Sequence, residues 1–178
     1  MMPLIPATAW LAIAVAATAA IVDFRQHRIP NRLTYPLIVV GLALQTALHG
    51  WRGLLLSLAG GIVFGGIFLV FYLVRAMGAG DVKLAAALGC IVGLSQSPQL
   101  MYAVAVAGGL MALIYILLSG RFKQTMRNLF SVLGYHAKHG LQAHPEVNLE
   151  NPKALRMPYG LAFAAGTIYW AISSQVWK

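Results

Sequence analysis

Long unbroken apolar runs, rather than alternation, set the pattern of this chain. Six can be drawn, over about 3–22, 34–48, 53–74, 82–94, 99–118 and 159–176. Several approach the roughly 20 residues that a helix needs to cross a bilayer. Strands of a membrane barrel would alternate apolar and polar positions, and these runs do not. The pattern predicts an all-α, polytopic membrane protein with about six transmembrane helices, in a single membrane-embedded domain over residues 1–178. The fourth run is short, which is tolerable where neighbouring helices bury it. One long polar segment, about 119–158, interrupts the series. Its first part places Phe122, Met126, Leu129, Phe130 and Leu133 at helical spacing, with Arg121, Lys123, Gln124, Arg127 and Asn128 on the other side. That pattern suits an amphipathic helix on an anionic membrane surface, or equally a loop helix packed on the protein. Beyond Gly134 no clear period continues.

Composition supports this class. Of 178 residues, 60% are hydrophobic and 10% charged, against roughly 25% charged in soluble domains. The net charge of +9 lies in loops, not on an aromatic-laced face, so it predicts no nucleic-acid partner. Eleven Lys and Arg residues fall in the odd-numbered loops and two, Arg52 and Lys178, on the other side. The positive-inside bias therefore predicts cytoplasmic odd loops and extracytoplasmic termini. The first basic residue, Arg25, follows the first apolar run, so that run is expected to remain as a helix rather than be cleaved as a signal peptide. Cys90 is the one cysteine, which excludes an intrachain disulfide and a Cys-x-x-Cys zinc site. Gly61 with Gly65, and Gly89 with Gly93, have the spacing that lets helices approach closely in lipid. They suit packing within one subunit better than between two. The Gly89–Gly93 stripe runs back through Ala85 to Asp81, so Asp81 is expected to face protein rather than lipid.

Asp23 and Asp81 are the two aspartates of the chain. Both stand at ends of apolar runs on the same predicted side. Ionisable groups beside a bilayer are costly and mark function by default. Two carboxyls that share a site do not both ionise cheaply and titrate as a unit. The charged member can take a proton from an attacking water while the neutral one donates to a peptide carbonyl; in the later step the pair helps the leaving amine. This chemistry needs neither metal nor cofactor. His27, His49, His136, His139 and His144 are too scattered to predict a metal site. Each aspartate also has a plain structural reading. Asp81 could cap the fourth helix. Asp23, at a helix C-terminus that disfavours a carboxylate, could pair with Arg25 or Arg28. A proton-coupled transporter would place its carboxyls nearer the midplane, and a non-catalytic membrane scaffold would need neither.

The segment Gly78-Ala79-Gly80-Asp81-Val82-Lys83 resembles the GxGD motif of intramembrane aspartic proteases, in the GxGDxK form of the type IV prepilin peptidases. The segment from Asp23 to Asn31, with its Ile29-Pro30-Asn31 ending, resembles the first aspartate motif of that family. Met157-Pro158-Tyr159-Gly160 resembles a recurrent feature before its last span. The resemblance implies a membrane aspartic endopeptidase of a bacterial inner membrane, acting on a prepilin or pseudopilin and removing its basic leader at the cytoplasmic face. Asp23 and Asp81 would be its catalytic pair. In size the chain resembles the compact members of Flp/Tad pilus systems; archaeal preflagellin peptidases share the motifs. Large members carry an N-terminal domain with cysteine pairs and methylate the product, which is not expected here. Gly78 and Gly80 would let the backbone turn and a substrate strand come close. Pro30 and Asn31 would stop and orient the loop. Lys83 would tune Asp81 or merely snorkel. Arg25 and Arg28 would set topology or bind an acidic substrate group.

Overall fold

A computed structural model describes residues 7–120, 122–142, 144–145, 147 and 157–176. The expected start of the first span at residue 3, and most of the 143–156 stretch, lie outside the described residues. The chain is all helical there: α1 (Ala7–Gln26), α2 (Asn31–Leu73), α3 (Ala79–Val92), α4 (Ser97–Ser119), α5 (Phe122–His139) and α6 (Tyr159–Val176). By length and apolar composition α1, α2 and α4 can each cross a membrane. Ile62, Val39, Leu110, Ile114, Leu118 and Ile172 point outward and are exposed. So large an apolar exterior fits a lipid environment.

The second and third predicted spans are one continuous helical stretch in α2, broken at Gly50, where φ is 61° and ψ −147°. Only glycine adopts that conformation readily. A straight helix would set Gly41 and Gly61 about 30 Å apart. Yet both lie against Cys90 of α3, so the two arms of α2 fold back on each other. The loop predicted near residues 49–52 is thus a one-glycine reversal.

The arms embrace α3, which at 14 residues is only about 21 Å long, short of the roughly 30 Å hydrocarbon core. Its end is satisfied by the arms. Gln45 donates to the Ile91 carbonyl at 2.8 Å and Ser57 to the Cys90 carbonyl at 2.6 Å. These are among the carbonyls a helix leaves unpaired, so α3 can end inside protein. Its contact with the second arm is made by glycine. A Cβ on Gly89 would stand 2.4 Å from the Gly60 carbonyl oxygen, as the small-residue spacing predicts within one subunit. Gly89→Ala should therefore lower stability by about 1–3 kcal/mol, the usual cost of overpacking. Gly66→Ala, where a Cβ meets nothing within 4 Å, should be neutral or slightly stabilising. Thermal unfolding of the detergent-solubilised protein would check the pair.

The other half is α6 packed between α1 and α4. Gly166 lies against Ala103 and Val104, and Gly108 faces Ala162. This register makes α4 and α6 antiparallel. The end of α4 therefore lies beside the start of α6, at the end where α1 finishes and α3 begins. Phe64, Phe68 and Phe163 join the halves, with ring centroids 5.2–6.3 Å apart.

Three boundaries moved. α1 runs one turn past the expected stop at Val22, and His27 ends it in the left-handed region (φ 51°), donating its amide to the Asp23 carbonyl at 2.7 Å. Ala79, Gly80 and Asp81, read as a turn, are already the first turn of α3. α5 continues past Gly134 to His139, where side chains supply what its sequence period did not: His139 stacks on Tyr135 at 4.3 Å and the His136 ring donates to the Gly140 carbonyl at 2.9 Å.

Candidate active site

The ends of α1 and α3 that carry the two aspartates meet the start of α6. Asp23 occupies the last turn of α1 and is 7% exposed; Asp81 is the third residue of α3 and 8% exposed. Both line one cavity of about 220 Å³, with His27, Gly78, Met157, Pro158 and Tyr159. The charge of Asp23 reaches the Asp81 carboxyl, and that of Asp81 the Tyr159 hydroxyl.

Each carboxyl is held by a helix N-terminus. The amide of Gly160, second residue of α6, donates to Asp23 Oδ2 at 2.8 Å. The amide of Gly78, the N-cap of α3, donates to Asp81 Oδ2 at 3.1 Å. Asp81 is thus not the N-cap that its residue type suggests: it stands at the third helical position, accepts the amide of the N-cap Gly78 from there, and also lines the cavity. The disfavour expected for Asp23 at the C-terminus of α1 is answered by another element, because the free amides and positive end of α6 face it. Among the described residues Asp23 makes no ion pair with Arg25 or Arg28. Both arginines are exposed; Arg25 lines a separate apolar groove with Ala20, Ile21, Phe24 and Leu161.

The remaining motif residues serve in unexpected ways. Gly78 has φ −80° and ψ 152°, which any residue adopts, so no glycine-only turn is used there. A Cβ on Gly80 would lie 2.9 Å from the Ile29 Cβ. What comes close to Gly80 is the α1–α2 loop, and buried Ile29 seats that loop on α3. Pro30 is the N-cap of α2, and its carbonyl accepts the Leu33 amide at 3.0 Å. Lys83 reaches away from the tuning role expected beside Asp81. Its ammonium donates to Asn31 Oδ1 at 2.7 Å and stands 5.1 Å from the centre of the Tyr35 ring. It ties the start of α2 to α3 with a charge-assisted bond and a cation–π contact.

Sequence reasoning assigned no role to His27 or to Met157–Gly160. His27 stands four residues after Asp23, one helical turn on, which was the available signal. The contact of Gly160 with Asp23 spans 137 residues; the family resemblance of residues 157–160 marked the segment but not this contact. Among the described residues no group of three or more His, Cys, Asp or Glu side chains is placed to hold a metal ion.

The fold and site define an all-α, multi-span membrane protein with two buried carboxyls at one end of its bundle. Residues 10–116 match the model of the type IV leader peptidase family, and the chain belongs to that family. It is similar to a prepilin leader peptidase/N-methyltransferase of Legionella pneumophila, 30% identical over 123 residues, 66% of this chain and 43% of that protein. It is similar to another so named from Burkholderia pseudomallei (strain 1026b), 36% identical over 112 residues, 58% of this chain and 35% of the relative. One from Escherichia coli (strain K12) is 28% identical over 127 residues, 67% and 56% of the two chains. The chain thus spans about half or less of the length of the curated relatives it matches. No solved structure matches it.

Proposed function

We propose that this chain is a membrane aspartic endopeptidase that cleaves the leader peptide of Flp-type type IV prepilins at the cytoplasmic face of a bacterial inner membrane. Asp23 and Asp81 share the work. The ionised carboxyl takes a proton from water as the water attacks the scissile carbonyl. The protonated one donates to the carbonyl oxygen; the carboxyl that took the water proton then passes it to the departing amine, while the other recovers a proton from the gem-diol hydroxyl as the carbonyl re-forms. The observation that carries this reading is that both aspartates of the chain, 58 positions apart by their residue numbers, are buried on one cavity. Family membership supports the reaction class. The odd-numbered loops share the site's end of the bundle, and eleven of thirteen basic residues belong to them. That supports six crossings with both termini extracytoplasmic. The proposal concerns peptide cleavage alone.

The test is co-expression with a Flp-type prepilin in a host lacking its own prepilin peptidase, followed by N-terminal sequencing of the pilin. A single new N-terminus immediately after the basic leader is expected. An unprocessed precursor in membranes that contain the folded protein would count against the proposal.

A further inference from the structure

The sequence leaves α5 either packed on the protein or resting on a membrane, and among the described residues His144 meets its polar side at Ser131 and Tyr135 while the apolar stripe stays uncovered. No residue of α5 is buried. Along its apolar stripe Phe122 is 49% exposed, Phe130 71% and Leu133 57%. An isolated stripe of this size on an amphipathic helix needs a cover. We infer that α5 is an interfacial helix that lies on the membrane surface and binds anionic lipid headgroups.

Two further observations choose lipid as the cover. The first is position. α4 is long and apolar enough to cross a membrane and ends at Ser119, and Gly120 (φ 65°) turns the chain before α5 begins at Phe122. Two residues between the helices hold the start of α5 at the level where α4 leaves the bilayer. The second is charge. Lys123, Arg127 and Lys138 are the charged Lys, Arg, Asp or Glu residues of α5, with no acid among them. At 100° per residue these three lie together in one sector about 60° wide, which begins at the border of the apolar stripe with Lys123 and extends onto the polar face. A helix resting on its stripe would hold them within reach of the headgroups, where basic residues attract anionic lipid. A second copy of α5 on the stripe would bring like charges together. Because α4 and α6 are antiparallel, α5 sits at the same end of the bundle as the two carboxyls. It would bind lipid there whether or not the chain cleaves a leader.

The test uses the full chain in nanodiscs, with a nitroxide placed through Phe130→Cys on the stripe or through Gln124→Cys on the opposite face; Cys90 is buried. Relaxation by oxygen reports lipid, and relaxation by a water-soluble nickel chelate reports solvent. In an equal mixture of phosphatidylcholine and phosphatidylglycerol, position 130 should respond to oxygen and position 124 to nickel. In phosphatidylcholine alone, nickel access at 130 should rise several-fold. Neutralisation by Lys123→Gln, Arg127→Gln and Lys138→Gln together should erase that difference between the two membranes. Nickel access at 130 in both membranes would overturn the proposal. So would shielding from both reagents, which means that protein covers the stripe. Equal insertion in both lipids, unchanged by neutralisation, would reduce α5 to an apolar attachment and refute headgroup binding.

Discussion

Replacing either Asp23 or Asp81 with asparagine lowers leader cleavage by about 10²–10⁴-fold, the range that one general acid or base supplies. Asparagine keeps the shape of the side chain and can still accept the Gly160 or Gly78 amide through its oxygen. The contact between α1 and α6 and the first turn of α3 should therefore survive, and each variant should solubilise and elute like the parent. What is lost is the ability to hold or release a proton. The two carboxyls act as one unit, so the double variant should be hardly slower than the worse single one, as is usual for groups that share a step. Single-turnover cleavage in proteoliposomes measures both effects. A rate within a fewfold of the parent for either variant would show that its carboxyl is structural, a cap or a tether.

The second large effect is expected at Gly160→Val. A Cβ there would stand 2.9 Å from both the Ala20 Cα and the Asp23 Cβ, and 3.1 Å from Asp23 Oδ2. Two of these neighbours belong to the carboxyl residue itself and the third is backbone, so α6 must move off α1. That movement draws the Gly160 amide away from Asp23 and shifts a side chain whose placement sets the rate. Displacements of about 1 Å commonly cost about 10²-fold in rate. Cleavage per folded molecule should fall by that order. Gly166→Ala, farther along α6, separates the two effects. Its Cβ would lie 2.5 Å from the Val104 Cα, so it should lower thermal stability as much as Gly160→Val without a comparable loss of rate per folded molecule. Equal rate losses for the two would mean that general loosening of α6, and not the position of Asp23, governs activity.

Much of this architecture is legible in the residue order because helices in lipid are chosen by local chemistry. Every backbone polar group must be satisfied within its own segment, so apolar runs become helices almost wherever they occur. The break near residue 50, the shortness of the fourth run and the close packing at Gly61 and Gly89 all follow from such local rules. The candidate site was legible only in part. Asp23 and Asp81 stand out because carboxyls are scarce here and costly near lipid. Their partners do not stand out. The Gly160 amide that holds Asp23 lies 137 positions later in the chain, and a backbone amide has no sequence signature. Lys83, two residues from Asp81, suggested a charge partner by proximity along the chain. On α3 its side chain projects toward the start of α2 instead, because residues two apart do not share a helix face. Gly80 was read as a turn, yet it is helical, and its missing side chain makes room for Ile29.

The sequence by itself determined the class of molecule, the approximate limits of its apolar segments, the uneven distribution of basic charge between the two sets of loops, and the two acids to watch. These are properties of single segments and of charge counts. Only the tertiary structure decided that α2 doubles back around a helix too short to span alone, that both acids line one cavity, and that each is met by the amide end of a helix. It also decided that α5 keeps its apolar stripe uncovered by the other described residues. The reason is physical: burial, amide contacts and shared cavities depend on distances between elements far apart in the chain, and local hydrophobic pattern carries no information about those distances.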